Sequence, residues 1–101
     1  MADTAESDSQ DGVLVLPARM DTHAAEGLLN TLLQRQDRDL TLDVSSVELL
    51  GARCLEVLLN ARHFWSEAGK SLTLLGASEA LNENLTRYGL QPTDLETEVA
   101  V

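Results

Sequence analysis

Internal disulfide chemistry is excluded at the outset, because Cys54 is the only cysteine among the 101 residues. A lone thiol predicts a reducing, cytoplasmic setting. Aromatic residues are nearly absent, with Phe64, Trp65 and Tyr88 making up the 3%. Any core must therefore be aliphatic, built mainly from Leu and Val. Positive charge is scarce as well: 7 Lys and Arg stand against 17 Asp and Glu, for a net charge of −10. Such a surface repels phosphate backbones and anionic lipid headgroups, so nucleic acid and membrane surfaces are not expected partners. No apolar run approaches the roughly 18 residues of a membrane span, which predicts no direct membrane insertion. The N-terminus is polar and acidic, unlike a signal peptide.

Catalytic groupings are missing too. His23 and His63 are 40 residues apart, without Cys or acids at ligand spacing, so they read as solvated side chains and no metal site is expected. Cys54 lacks a visible base and orienting group and reads as a small buried hydrophobe. The acids lack the paired, pocketed setting of general acid–base catalysis. No glycine-rich loop is present to cradle a phosphate. No catalytic residue and no cofactor is predicted, and the chain does not read as an enzyme.

What is present is a rhythm of short apolar runs and amphipathic stretches. Hydrophobic residues are 44% of the chain, and a domain of this length buries roughly 60–70% of its unfolded surface, enough for one modest core. Residues 1–11 carry four acids and no base, and they predict a flexible acidic N-terminus. Asp11-Gly12 signals a turn, and Val13–Leu16 reads as a strand buried on both faces, or as the buried part of one. Asp21 or Thr22 suits a helix N-cap. Ala25, Leu28, Leu29, Leu32, Leu33 and Gln36 then follow helical spacing over about four turns. Leu40–Val44 predicts a second strand, 52–68 a second helix capped by Gly69, and Leu72–Leu75 a third strand. Ser78 caps a third helix over 79–88, with Leu81, Leu85 and Tyr88 on one face and Gly89 as its stop. The alternation of Leu95, Thr97 and Val99 reads as an edge strand or, given its three acids, a frayed end. Strands alternating with helices at this spacing predict βαβ crossovers and a mostly parallel sheet.

A family resemblance becomes visible in the middle of the chain. Asp43-Val44-Ser45-Ser46-Val47-Glu48-Leu49-Leu50, then four residues, then Leu55-Glu56-Val57-Leu58-Leu59 resembles the STAS domain of bacterial regulators. Leu74-Leu75-Gly76-Ala77-Ser78, with Leu81, Leu85 and Gly89-Leu90, resembles that family's ending, and Met20-Asp21 before Ala24-Ala25 and Leu28 its first helix. The resemblance implies an α/β fold: a STAS-like mixed, mostly parallel sheet of four to five strands, packed with about three to four helices. It covers residues 12–93, with 94–101 left as an acidic C-terminal tail or edge strand. It also implies a first strand at residues 2–9, where this chain is polar and acidic.

The best-known relatives of this kind are antagonists of anti-sigma factors. A kinase-like partner switches them off by phosphorylating a serine at the start of the second helix. Here the corresponding residues are Gly51, Ala52, Arg53 and Cys54, so Ala52 stands at the acceptor position and no phosphorylation site is expected there. Ser45 and Ser46 read as turn residues. The resemblance implies a non-enzymatic interaction domain that docks on a histidine-kinase-like regulator, either an anti-sigma factor or a chemotaxis-type signalling kinase. The alternative is a cytosolic subunit of a lipid or solute transporter, bound to its ATPase. The expected contact residues are Ser46, Gly51, Ala52, Arg53, Leu55 and Leu59, and the expected state is a monomer or weak homodimer.

On the second helix, Cys54, Val57, Leu58, Ala61, Phe64, Trp65 and Ala68 fall within an arc of roughly 120°, which suits packing on the sheet. Leu55 and Leu59 lie roughly 60–100° further round. Either a neighbouring helix covers these two leucines, or they belong to a partner surface.

Overall fold

The computed structural model describes residues 12–97. The expectations for residues 1–11, including a strand at 2–9, and for 98–101 lie outside the described residues. Within it, β1 (Val13–Val15), β2 (Arg19–Met20), α1 (Thr22–Gln34), β3 (Leu40–Asp43), β4 (Leu49–Leu50), α2 (Ala52–Glu67), β5 (Leu72–Leu75) and α3 (Glu79–Arg87) follow one another, ending in a 3-10 turn at Pro92–Leu95. β1, β3 and β5 form a parallel sheet with β3 in the centre, and β2 and β4 form a separate parallel pair. This is the α/β architecture, with a mostly parallel sheet, that the alternation of elements implies.

The side-chain period of two along a strand decides which face is covered. Leu14, Leu42 and Leu74 share one register row, and Leu40 and Leu72 another on the same face. Leu40, Leu42 and Leu72 are buried, and Leu14 and Leu74 pack against the core. The opposite face carries Val13, Val15, Asp43 and Leu75; Val13 is half-buried, and Val15 and Leu75 are about half exposed. Of the two readings of Val13–Leu16, burial on both faces is thus corrected: Leu14 packs against the core and Leu16 is buried, whereas Val15 is 46% exposed. On the Val15 face Thr41 and Thr73 are joined by a hydroxyl–hydroxyl hydrogen bond of 3.2 Å.

Two of the three described helices begin at a side-chain cap. The Asp21 carboxylate accepts the Ala24 N–H at 3.1 Å and opens α1. The Ser78 hydroxyl accepts the Leu81 N–H at 3.0 Å and opens α3. Phe64, in the arc of α2 suited to packing on the sheet, is exposed instead, as are Leu29 and Leu33 on the apolar side of α1. Tyr88, on the same side of the third helix as the buried Leu81 and Leu85, is exposed too. The apolar arcs are wider than the sheet and the neighbouring helix cover.

The stretch read as a frayed end is packed as far as Thr97. Leu95 is buried, and Thr97 donates its N–H to the Leu72 carbonyl at 2.9 Å. The Thr97 hydroxyl accepts the Leu72 N–H, and the Glu96 carboxylate accepts the Leu74 N–H. Among the described residues, the Thr97 backbone and the side chains of Glu96 and Thr97 therefore occupy the free edge of β5.

Candidate partner-binding site

The short β2–β4 pair brings the starts of α1 and α2 to one end of the molecule. Ala18 accepts the N–H groups of Glu48 and Leu49, and Met20 accepts that of Gly51 at 2.8 Å. Gly51 lies so close to this strand that a β-carbon there would sit 3.2 Å from the Met20 carbonyl oxygen. Three residues on, the Cys54 thiol donates to the Asp21 carbonyl at 3.2 Å. That thiol is fully buried, and burial, with the Asp21 carboxylate adding to it, pushes its pKa above the ordinary value. A thiol held neutral in this way is a packing group rather than a nucleophile.

Gly51 is the N-cap of α2 and provides no side-chain cap. The first amides of α2 therefore point outward without a side-chain partner, at the positive end of the helix dipole. Ala52 and Arg53 are exposed directly over this end. Ala52, Arg53, Leu55, Glu56, Leu59 and Tyr88 line an open depression of about 280 Å³. The structure thus brings together four of the expected contact residues, Ala52, Arg53, Leu55 and Leu59, with Gly51 adjoining them. Ser46 is exposed on the turn after β3 and does not line the depression. The two leucines differ: Leu55 is covered, at 6% exposure, whereas Leu59 is 37% exposed. Leu59 is the apolar contact on offer, and Leu55 forms its floor.

The loop leading into this site is held at many points. Asp43 accepts the Ser45 hydroxyl at 2.6 Å and the Ser45 N–H at 3.0 Å. The hydroxyl bond, more than the amide bond, holds the Asp43 carboxyl below its usual pKa. Ser78, besides capping α3, donates its hydroxyl to the Val47 carbonyl at 2.8 Å. The buried Asn84 donates to the Glu48 carbonyl at 3.1 Å and accepts the Leu50 N–H at 3.2 Å. Tyr88 reaches the Leu50 carbonyl with its hydroxyl at 3.3 Å. Sequence reasoning missed Asn84 and the contribution of Tyr88 to the surface. The available signal was Asn84 itself, a polar residue beside the buried positions Leu81 and Leu85 of an amphipathic helix.

Among the described residues no group of three His, Cys, Asp or Glu side chains is placed to hold a metal ion. No helix among them is long and apolar enough to cross a membrane. A family model described as "Mlab, STAS domain" matches residues 4–96 of the chain. No curated protein and no solved structure matches it.

Proposed function

The chain belongs to the STAS family, and on that premise we propose that it is an interaction domain docking on a histidine-kinase-like regulator without a serine phospho-switch. STAS domains are in general regulatory, protein-interaction modules rather than catalysts. The docking surface is the start of α2: Gly51, Ala52 and Arg53 over the open helix end, the exposed Leu59 with Leu55 beneath it, and Tyr88 at the side. Ser46 extends the surface along the loop.

One observation carries the reading. Ala52, which has no hydroxyl, sits exposed at the first position of an uncapped helix, on a loop fixed by several hydrogen bonds. A fixed loop loses little entropy on binding, so its contacts convert efficiently into affinity. The partner is an anti-sigma factor or a chemotaxis-type signalling kinase, and binding persists whatever the kinase's ATP state.

Titration calorimetry with a purified kinase-like regulator and with a transporter ATPase from the same organism tests this reading. The regulator is expected to bind. Ala52→Asp places a carboxylate where relatives carry phosphate, and the helix dipole tolerates it, so the fold remains intact. In the interface, a desolvated and unpaired carboxylate weakens binding by a hundredfold or more. Arg53→Glu acts in the same direction. Incubation with the regulator and ATP leaves the intact mass unchanged. Binding to the ATPase alone would replace this reading with that of a transporter subunit, and full affinity in both variants would move the docking surface elsewhere.

A further inference from the structure

Helices α1 and α2 lie side by side over the sheet, and on their solvent side they enclose an apolar groove of about 190 Å³. Leu29, Leu33 and Phe64 stand along its walls at 44%, 50% and 47% exposure. Leu32 and Trp65 form its buried floor. The Trp65 indole N–H is already used, donating to the Arg38 carbonyl at 2.8 Å. Phe64 is fixed edge-on to Trp65, with ring centroids 6.0 Å apart.

We propose that this groove is the contact face of a twofold homodimer, in which Phe64 of each copy enters the groove of the other. Size supports the pairing: a dry cavity of about 150 Å³ holds a benzene ring, so this groove admits one phenyl side chain. The ring it fits is exposed on the same face, which is the self-complementarity a twofold interface needs.

Charge selects the same occupant. None of the nine residues lining the groove is charged, and Glu26 is the only charged residue of α1, in a chain that is 24% charged and carries −10 overall. A basic partner finds no carboxylate in the groove to pair with. Two copies of this acidic chain, in contrast, meet here without setting carboxylates from the groove lining against each other. The polar lining residues, Gln36 and Asn60, are neutral. The dimer is weak, because a groove with room for one ring is far smaller than the roughly 800 Å² per partner of a standard stable interface. The lining shares no residue with the docking depression at the start of α2, so the two surfaces are independent.

Sedimentation velocity on the full chain tests the proposal, from about 5 to 500 µM and at about 20 and 500 mM NaCl. The dimer fraction is expected to rise with concentration and, because salt screens the repulsion between copies, to be larger at high salt. Leu33→Glu and Phe64→Ala should each weaken the dimer tenfold or more, whereas Leu59→Glu, on the other flank of α2, should leave it unchanged. Circular dichroism melts establish that each variant folds. A monomer throughout the wild-type series overturns the proposal and leaves the groove to an uncharged apolar segment of another protein. A dimer that Leu33→Glu fails to weaken, or one stronger at low salt, overturns it as well.

Discussion

Asn84 links the hydrophobic core to the loop that leads into α2. It is 8% exposed and uses both ends of its amide: Nδ2 bonds the carbonyls of Glu48 and Ala80, and Oδ1 bonds the Leu50 N–H. Leucine fills a similar volume but leaves that N–H and the Glu48 carbonyl without their side-chain partner. Orphaned buried polar groups cost about 1–3 kcal/mol each, so Asn84→Leu should lose about 2–4 kcal/mol in urea denaturation. Amide exchange at Leu50 should accelerate at the same time. Stability equal to the parent would mean that the loop is held by β2 alone. Gly76 shows the same dependence on a single position. It has φ +74°, and a β-carbon there would come 2.9 Å from that of Ser45. A side chain is excluded by both conformation and space, which lets the turns after β3 and β5 nest together.

Among the described residues, the free edge of β5 is met by two side chains and one backbone N–H. The N–H groups of Leu72 and Leu74 end on the Thr97 hydroxyl and the Glu96 carboxylate, and Arg62 ties the Glu96 carbonyl back to α2 at 2.7 Å. Thr97→Val and Glu96→Ala should each cost about 1 kcal/mol. They should also raise hydrogen exchange at Leu72 and Leu74 specifically; unchanged exchange would mean the edge is protected in another way. This closure was illegible in the sequence, because the acids at 94, 96 and 98 resemble a solvated tail and a carboxylate that caps an edge has no periodicity. The regular elements were legible. Alternating short β-rich runs and helical spacing located all three helices and β1, β3 and β5, and Asp21 and Ser78 announced two helix starts. The two-residue strands β2 and β4 are too short for any pattern to reveal. The exposure of Leu29, Leu33 and Phe64 was illegible for another reason: a helical wheel gives the apolar arc, not how much of it a neighbour covers. At the candidate site, the aligned pattern pointed to Ala52, Arg53 and Leu59, but the contribution of Tyr88 needed the three-dimensional path of α3.

At the scale of the molecule, a charge of −10 on 101 residues opposes compactness through self-repulsion. Few ion pairs offset it: among the described residues, Arg38 lies 3.1 Å from Asp37, and Arg19 lies 4.0 Å from Asp21. Both are at the surface and contribute little. The melting temperature should therefore rise by several degrees between about 20 and 500 mM NaCl, as screening relieves roughly 1 kcal/mol of repulsion. A flat or falling response in thermal denaturation would show that the acids are already compensated. Screening acts on the two proposed surfaces in different ways. It favours contact between copies, and it weakens any partner drawn in by the chain's overall acidity.

The parallel pairing also dictates how the chain can assemble in time. Val13 meets Thr41, Arg19 meets Leu49 and Leu40 meets Leu72, so no strand among the described residues finds its neighbour through a tight turn. Among the described strands no hairpin serves as a local seed, and each of their pairings must close a loop that spans an entire helix, the kind of long-range contact that slows folding. During synthesis β3 can recruit β1 once α1 has emerged. It waits for β5 until α2 and the next turn have followed, and the clasp at Glu96 and Thr97 forms only when nearly all of the described chain is out. Until then the edge of β5 is open, and the half-built sheet is at its most vulnerable to pairing with another nascent chain.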